Sequence, residues 1–463
     1  MKSQVPPFLT IAEASQAIES RQFSPVDLTR AMLQRIEVAN PKLNAYLLVT
    51  GKQALAAARM AEKEIAAGRK GPLLGIPLAY KDIFETARVR TTANSKILID
   101  NVPKHDAETV RRLHAAGAVM LGKLATHEFA IGGPAMDLPW PPARNPWDTR
   151  RFTGGSSSGS AAAVAAGIAL GALGSDTGGS IRLPAAYCGI AGFKPTPGLV
   201  SRRGVIPLAP SLDTAGPMAW TAQDCAILLD AIAGYDAADP ASVDVALPGF
   251  ARATEPPLKG LRVGVLRRFF EQDVPASPEM RRMMTDAAAR LRDLGCKVED
   301  AVLPPVQEFN AVGRIIISAE AYALHEMTLR TRLSDYSRVF RIRVLGGALI
   351  RAADYIAAQR RRTDLIAATA EVFRKFDVLI CAPTADIAPP MAEQRPDDGF
   401  SRPYVTTVAN VAAVPSLVVC GGFSTIGLPM GLEIIGAAWN DAMVLRVGRH
   451  FEEANGARNR RPS

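Results

Sequence analysis

Lys81, Ser156 and Ser180 are the residues whose types and settings can do chemistry together. Lys81 ends an apolar run in GIPLAYKDIF (75–84), while the serines sit in the glycine-rich stretches GGSSSGS (154–160) and GSDTGGSIRLP (174–184). A neutral amine and two hydroxyls can run nucleophilic catalysis without histidine, cysteine or metal. The amine takes a proton from one serine, which takes one from the other. A free lysine titrates near ~10.4, so this requires a pocket apolar enough to lower it by roughly 3–5 units. The apolar run at 76–80 fits such burial.

Ser180 suits the nucleophile. It follows Asp176, Thr177, Gly178 and Gly179, where two glycines let successive N–H groups turn toward one point, as an oxyanion hole requires. The structural alternative is an ordinary turn whose serine caps the next segment. Ser156 lies in a second glycine-flanked turn, for which helix capping or anion binding are the competing roles. A phosphate loop is disfavoured because no Lys-Ser/Thr pair follows. The five residues 155–159 also match a G-x-S-x-G elbow, with Ser157 as nucleophile. That triad would need His325 or His450 downstream. Cys188 has no base beside it in sequence.

The elements that must position these groups read as an alternation of short apolar strands and helices, hence an α/β layered fold. Capping patterns at Thr10–Glu13 and Ser24–Asp27 open N-terminal helices, and a third helix spans 54–67. Strands are expected at 73–80, 119–121, 190–193, 262–266, 378–381 and 416–419. Helices are expected at 107–116, 223–233, 278–294, 352–373 and 442–454. The small residues 160–173 read as one buried helix joining the two serine loops. Long Pro/Gly-rich loops at 132–147 and 384–403 are candidates for pocket walls. No linker divides the chain, so one domain over 1–463 is expected, with a helical segment at 1–70 packed on a core at 71–455.

Composition narrows the classes. Hydrophobic residues make up 48% and charged residues 21%, which is ordinary for a globular protein. The net charge of +9 comes from scattered arginines without interleaved aromatics, which argues against nucleic-acid binding. Clusters at 281–282, 338–343, 360–362 and 458–461 are expected to be solvated helix faces. Five dispersed cysteines indicate neither a zinc site nor a disulfide framework. No signal peptide or membrane span is evident, so a cytoplasmic protein without metal or cofactor is expected.

Together, GGSSSGSAAAVAAG and LGSDTGGSIRLPAAYCGIAGFKPTPG resemble the amidase signature family, as do GIPLAYKD, NPWD (145–148) and SLDTAGPM (211–218). The resemblance runs to about residue 454. It implies a single α/β/α domain around a large mixed sheet, commonly dimeric, and a Ser–cis-Ser–Lys triad. Ser180 would then be the acyl-enzyme nucleophile, Ser156 the bridging serine and Lys81 the base. Backbone N–H groups of Thr177, Gly178 and Gly179 would form the oxyanion hole. Asp176 and Arg182 would brace the loop, and Ala130, Ile131 and Gly132 would line the acyl side of the cleft. The implied activity is hydrolysis of small carboxamides or acylamides. The alternative is the glutamine-hydrolysing A subunit of a tRNA-dependent amidotransferase. Such subunits carry Ser/Thr-rich residues after Gly132 and a Tyr-Asp-Gly-x-Arg stretch. Here Gly133-Pro134-Ala135-Met136 follows, and 319–332 lacks that stretch, which implies a more apolar pocket. Asn94 and Ser158 stand where the family usually has glycine.

Overall fold

The computed structural model describes residues 5–396 and 403–462. Its backbone is one eleven-stranded mixed sheet flanked by helices. In chain order the strands are β1 (Tyr46–Val49), β2 (Pro77–Lys81), β3 (Val119–Leu124), β4 (Gly171–Asp176), β5 (Ala191–Lys194), β6 (Thr214–Ala219), β7 (Arg262–Val265), β8 (Lys297–Asp300), β9 (Val378–Cys381), β10 (Ser416–Phe423) and β11 (Pro429–Gly436). Their order across the sheet is β1-β3-β2-β4-β6-β5-β10-β11-β9-β7-β8. Strand β2 runs parallel to both β3 and β4, whereas β4 is antiparallel to β6.

Strands covered on both faces must be apolar or small along their whole length, and this is what the middle of the sheet contains. Every residue of β2, β3, β4 and β6 is buried. Fully burying a leucine such as Leu78 or Leu121 contributes roughly 1.5–3 kcal/mol.

The expected helix over 160–173 is instead a helix, a turn and a strand. The helix Ser158–Ala165 stops at Ala166, Gly167 turns with φ 66°, and the chain enters β4 at Gly171. Alanine and glycine fit both because the helix lies directly on the strand. A Cβ at Gly174 would lie 3.1 Å from Ser157 Oγ and 2.7 Å from Met218 Sδ. β1, β6, β8 and β11 are not expected from the sequence, nor is the long helix Val306–Arg332.

Both N-terminal capping boxes are formed. Thr10 Oγ1 accepts from Glu13 N and Ser24 Oγ from Asp27 N, each at 3.1 Å, and each acidic side chain returns to the cap's own N–H. The arginines at the C-terminus depart from the solvated-face expectation. Arg460 stacks on Phe423 and Arg461 lies over Trp220, with Cζ 3.3 Å from the ring centroid. Among the described residues no helix is long and apolar enough to cross a membrane. No cluster of three His, Cys, Asp or Glu residues is arranged to hold a metal ion among them either.

Candidate active site

Lys81 is the last residue of β2, and its side chain is completely buried. The adjacent Asp82 does not pair with it. Asp82 accepts from Thr92 N and Thr92 Oγ1 and stands 3.8 Å from Lys123 Nζ. Lys81 Nζ instead donates to Ser156 Oγ at 2.7 Å and to Ser175 Oγ at 2.8 Å. Burial lowers the Lys81 amine from its ordinary 10.5 to about 7, against the opposing pull of the Asp176 and Asp213 carboxylates. The lysine is therefore in substantial part neutral near pH 7.

Ser156 is also fully buried, and the Gly155–Ser156 peptide bond is cis. It does not cap the following helix, whose N-cap is Ser157. Gly155 is required by close approach: a Cβ there would fall 2.0 Å from the ring of His127. Ser157 N donates to the Ser180 carbonyl at 3.2 Å, which joins the two serine loops. Ser180 is half-buried and lines a cavity of about 150 Å³ together with Thr177, Gly178 and Gly179. Ala130, Ile131 and Gly132 line the same cavity.

The Thr177–Ser180 turn is held by a buried ionic network. Asp176, at the end of β4, accepts from Gly179 N at 2.7 Å and Ile181 N at 3.0 Å. Arg182 donates to both oxygens of Asp176, to Glu433 Oε1 at 2.6 Å and to Asn410 Oδ1 at 2.6 Å. Burial alone would push the Asp176 carboxyl up, but the Arg182 guanidinium, with N–H donors from Ile181 and Asn410, holds it well below the carboxylate range. Gly179 has φ 122°, and a Cβ there would lie 2.0 Å from Thr406 Oγ1. Glycine is thus fixed by conformation and by space. Because its N–H already serves Asp176, Gly179 contributes to bracing the nest as well as to its shape.

Several neighbours carry no signal in the sequence. Ser175 abuts Asp176 yet escapes notice there, because a strand serine looks like filler. Asn410 and Glu433 lie 228 and 251 residues from Arg182. His127 lines the cavity, stacks on Phe152 and accepts from Gly133 N at Nδ1. Burial, reinforced by the charges of Lys81 and Arg343, lowers its pKa to about 3, so the ring is neutral. The apolar-pocket expectation needs correction too: Arg314, Arg343 and Arg395 line the cavity beside Phe152, Leu208 and Ile317.

The competing nucleophiles find no catalytic partners. Ser157 Oγ is buried and bonded to the Ser175 backbone. His325 is enclosed by Phe129, Tyr336 and Phe340 with Nδ1 on the Tyr336 hydroxyl, and His450 sits on the Pro256 carbonyl. Burial pushes the Cys188 thiol far up. At Asn94 the backbone is left-handed, with φ 54°, a conformation asparagine tolerates in place of glycine. Ser158 begins its helix with ordinary geometry.

A mixed-sheet α/β chain with a buried lysine–serine pair behind a glycine-walled cavity is the class that fold and site define. A family model described as Amidase matches residues 27–445. The chain is 39% identical over 482 residues to the A subunit of glutamyl-tRNA(Gln) amidotransferase from Desulfatibacillum aliphaticivorans, covering 98% of this chain and 99% of that protein. Peptide amidase from Stenotrophomonas maltophilia superposes with a TM-score of 0.85 at 32% identity over 98% of both chains. A chain of a vestigial complex bearing on the origins of an s-triazine catabolic enzyme superposes with a TM-score of 0.90. Its identity is 33%, over 96% of this chain and 98% of that one. This chain belongs to the Amidase family.

Proposed function

We propose that this chain cleaves amide C–N bonds through an acyl-enzyme on Ser180. The observation that carries the reading is the buried Lys81 amine, 2.7 Å from Ser156 Oγ, behind the cavity that holds Ser180. Ser180 Oγ attacks the carbonyl carbon. Its proton passes to Ser156, whose own proton passes to neutral Lys81. The developing oxyanion falls to N–H groups of the turn at Thr177 and Gly178, since that of Gly179 is committed to Asp176. When the C–N bond breaks, the proton returns through Ser156 to the leaving nitrogen. Water then attacks the acyl ester, giving up a proton along the same relay, and releases the carboxylate with Ser180 restored. Ser180→Ala is expected to lower turnover of a panel of amides and anilides by about a thousandfold or more. Normal turnover in that variant would overturn the assignment.

The setting of this chemistry has two readings. Its likeness to an amidotransferase component from Desulfatibacillum aliphaticivorans favours a glutamine-using subunit over a free-standing amidase. One feature of this chain favours the free-standing enzyme: positions 319–332 lack the Tyr-Asp-Gly stretch. The measurement that separates them is activity of the chain purified alone. Efficient hydrolysis of simple amides supports the hydrolase. Glutamine hydrolysis that emerges only on adding partner proteins supports the amidotransferase.

A further inference from the structure

His127 stands in the wall of the Ser180 cavity with one polar group unspent. Its ring lies along Phe152 at an interplanar angle of 13°, and its edge abuts Gly155, where no Cβ would fit. Its backbone N–H donates to the Ser156 carbonyl at 3.1 Å. Nδ1 accepts from Gly133 N at 2.8 Å, so the proton of the neutral ring lies on Nε2. Burial, reinforced by Lys81 and Arg343, brings the pKa to about 3, and the ring is neither acid nor base at neutral pH. What it has left is a single N–H donor. Among the described residues that donor has no hydrogen-bond partner. The residue is only 5% exposed, and the cavity is where it meets free space.

An acyl chain that fills this cavity displaces water from Nε2. A chain without an acceptor then leaves a buried donor unmet, which is costly, whereas an oxygen at that place satisfies it. His127 adjoins Ala130, Ile131 and Gly132, the expected acyl side, and its carbonyl accepts from Ala130 N at 2.9 Å. The charge of the acceptor is constrained as well. His127 lies within electrostatic range of the Lys81 amine, so an anion held on Nε2 would favour protonated lysine and oppose the relay. We propose that His127 is a specificity-determining residue whose Nε2–H donates to an uncharged carbonyl oxygen in the acyl portion of the substrate. The preferred substrates are then amides whose acyl chain carries a second, uncharged carbonyl. The inference rests on amide cleavage at Ser180 and names the substrate of that same site.

The test measures ammonia release from N-acetylglycinamide and N-acetyl-β-alaninamide. Their counterparts are isocaproamide and its next higher homologue, which match them in shape without the second carbonyl. Wild type is expected to favour at least one acetylated amide over its hydrocarbon counterpart by about three- to tenfold in kcat/KM, the span of a neutral hydrogen bond. Two variants separate the donor from the ring's hold on Gly133. His127→Asn puts an acceptor where Nδ1 stands and withdraws the donor, and should remove the preference. His127→Gln puts a donor near Nε2 and gives up the Gly133 contact, and should keep part of it. A neutral fluorophosphonate reports separately on whether Ser180 is reactive and the variants folded. No preference or no turnover in labelled wild type, or a labelled His127→Asn enzyme that slows equally on both kinds of amide, overturns this inference alone. Should His127→Asn carry no label, the glutamine variant decides, and a preference lost there overturns the inference. No turnover on any amide, with no label on Ser180 in wild type, overturns both readings.

Discussion

A lysine amine accepts a proton only when neutral, so the titration of Lys81 sets the pH range of the proposed relay. Burial brings it to about 7, and Asp176 and Asp213 keep it from falling further. Below that value the amine is charged and cannot take the Ser156 proton. Log kcat/KM is therefore expected to rise by about one per pH unit up to about 7 and then level off. His127 cannot produce this limb, since its ring is held near 3 and stays neutral throughout. Lys81→Met should remove the limb along with nearly all activity. A wild-type profile flat from pH 5.5 to 9 would exclude neutral Lys81 as the base. At this scale the sequence is readable where chemistry and tight backbone coincide: each serine lies within a few residues of glycines, and Lys81 ends an apolar run. It is silent on Ser175 and His127, whose positions come from how β4 and the loop after β3 fold around the amine.

Between residue and molecule, the nucleophile turn depends on elements far apart in the chain. Asp176 ends β4 and Arg182 opens the helix Arg182–Cys188, while Glu433 projects from β11 and Asn410 from the helix Thr407–Val411. All four side chains are buried. Removing one partner from such a network leaves a desolvated charge, which costs roughly 3–5 kcal/mol. Glu433→Ala is accordingly expected to destabilise the protein by about that amount, measured by chemical denaturation. Glu433→Gln, which keeps an acceptor for Arg182 and Ser416, should cost less. Equal denaturation midpoints for wild type and Glu433→Ala would show that the network does not carry the turn. No periodicity in the sequence reveals a pairing 251 residues apart. The single helix expected over 160–173 fails for a different reason. Alanine and glycine satisfy a helix and a crowded central strand equally, and the left-handed Gly167 that divides them is local geometry that composition does not carry.

At the scale of the whole molecule, the sheet gathers strands from both ends of the chain into one hydrogen-bonded layer, and we propose that it unfolds as one unit. The C-terminal helix Asp441–Asn455 supplies a pH-sensitive tie in that layer. Its Glu452 is buried and accepts from Ala222 N at 2.8 Å, at the start of the helix Ala222–Ile232. Burial, with help from nearby Asp224, raises this carboxyl from 4.5 to about 8, although the Ala222 N–H and Arg458 pull it down. Between those two values the folded chain holds a proton that the unfolded chain has released. Stability must then fall as pH rises from about 4.5 through about 8 and flatten above. Asp224, itself raised to about 6 by burial, steepens the lower part of that fall. Glu452→Gln keeps an acceptor for Ala222 N but has no proton to lose. A single thermal transition is expected at each pH, with the midpoint falling between pH 5.5 and 8.5 in wild type and falling less in the variant. Parallel slopes for the two proteins would mean that Glu452 is ionised in the fold.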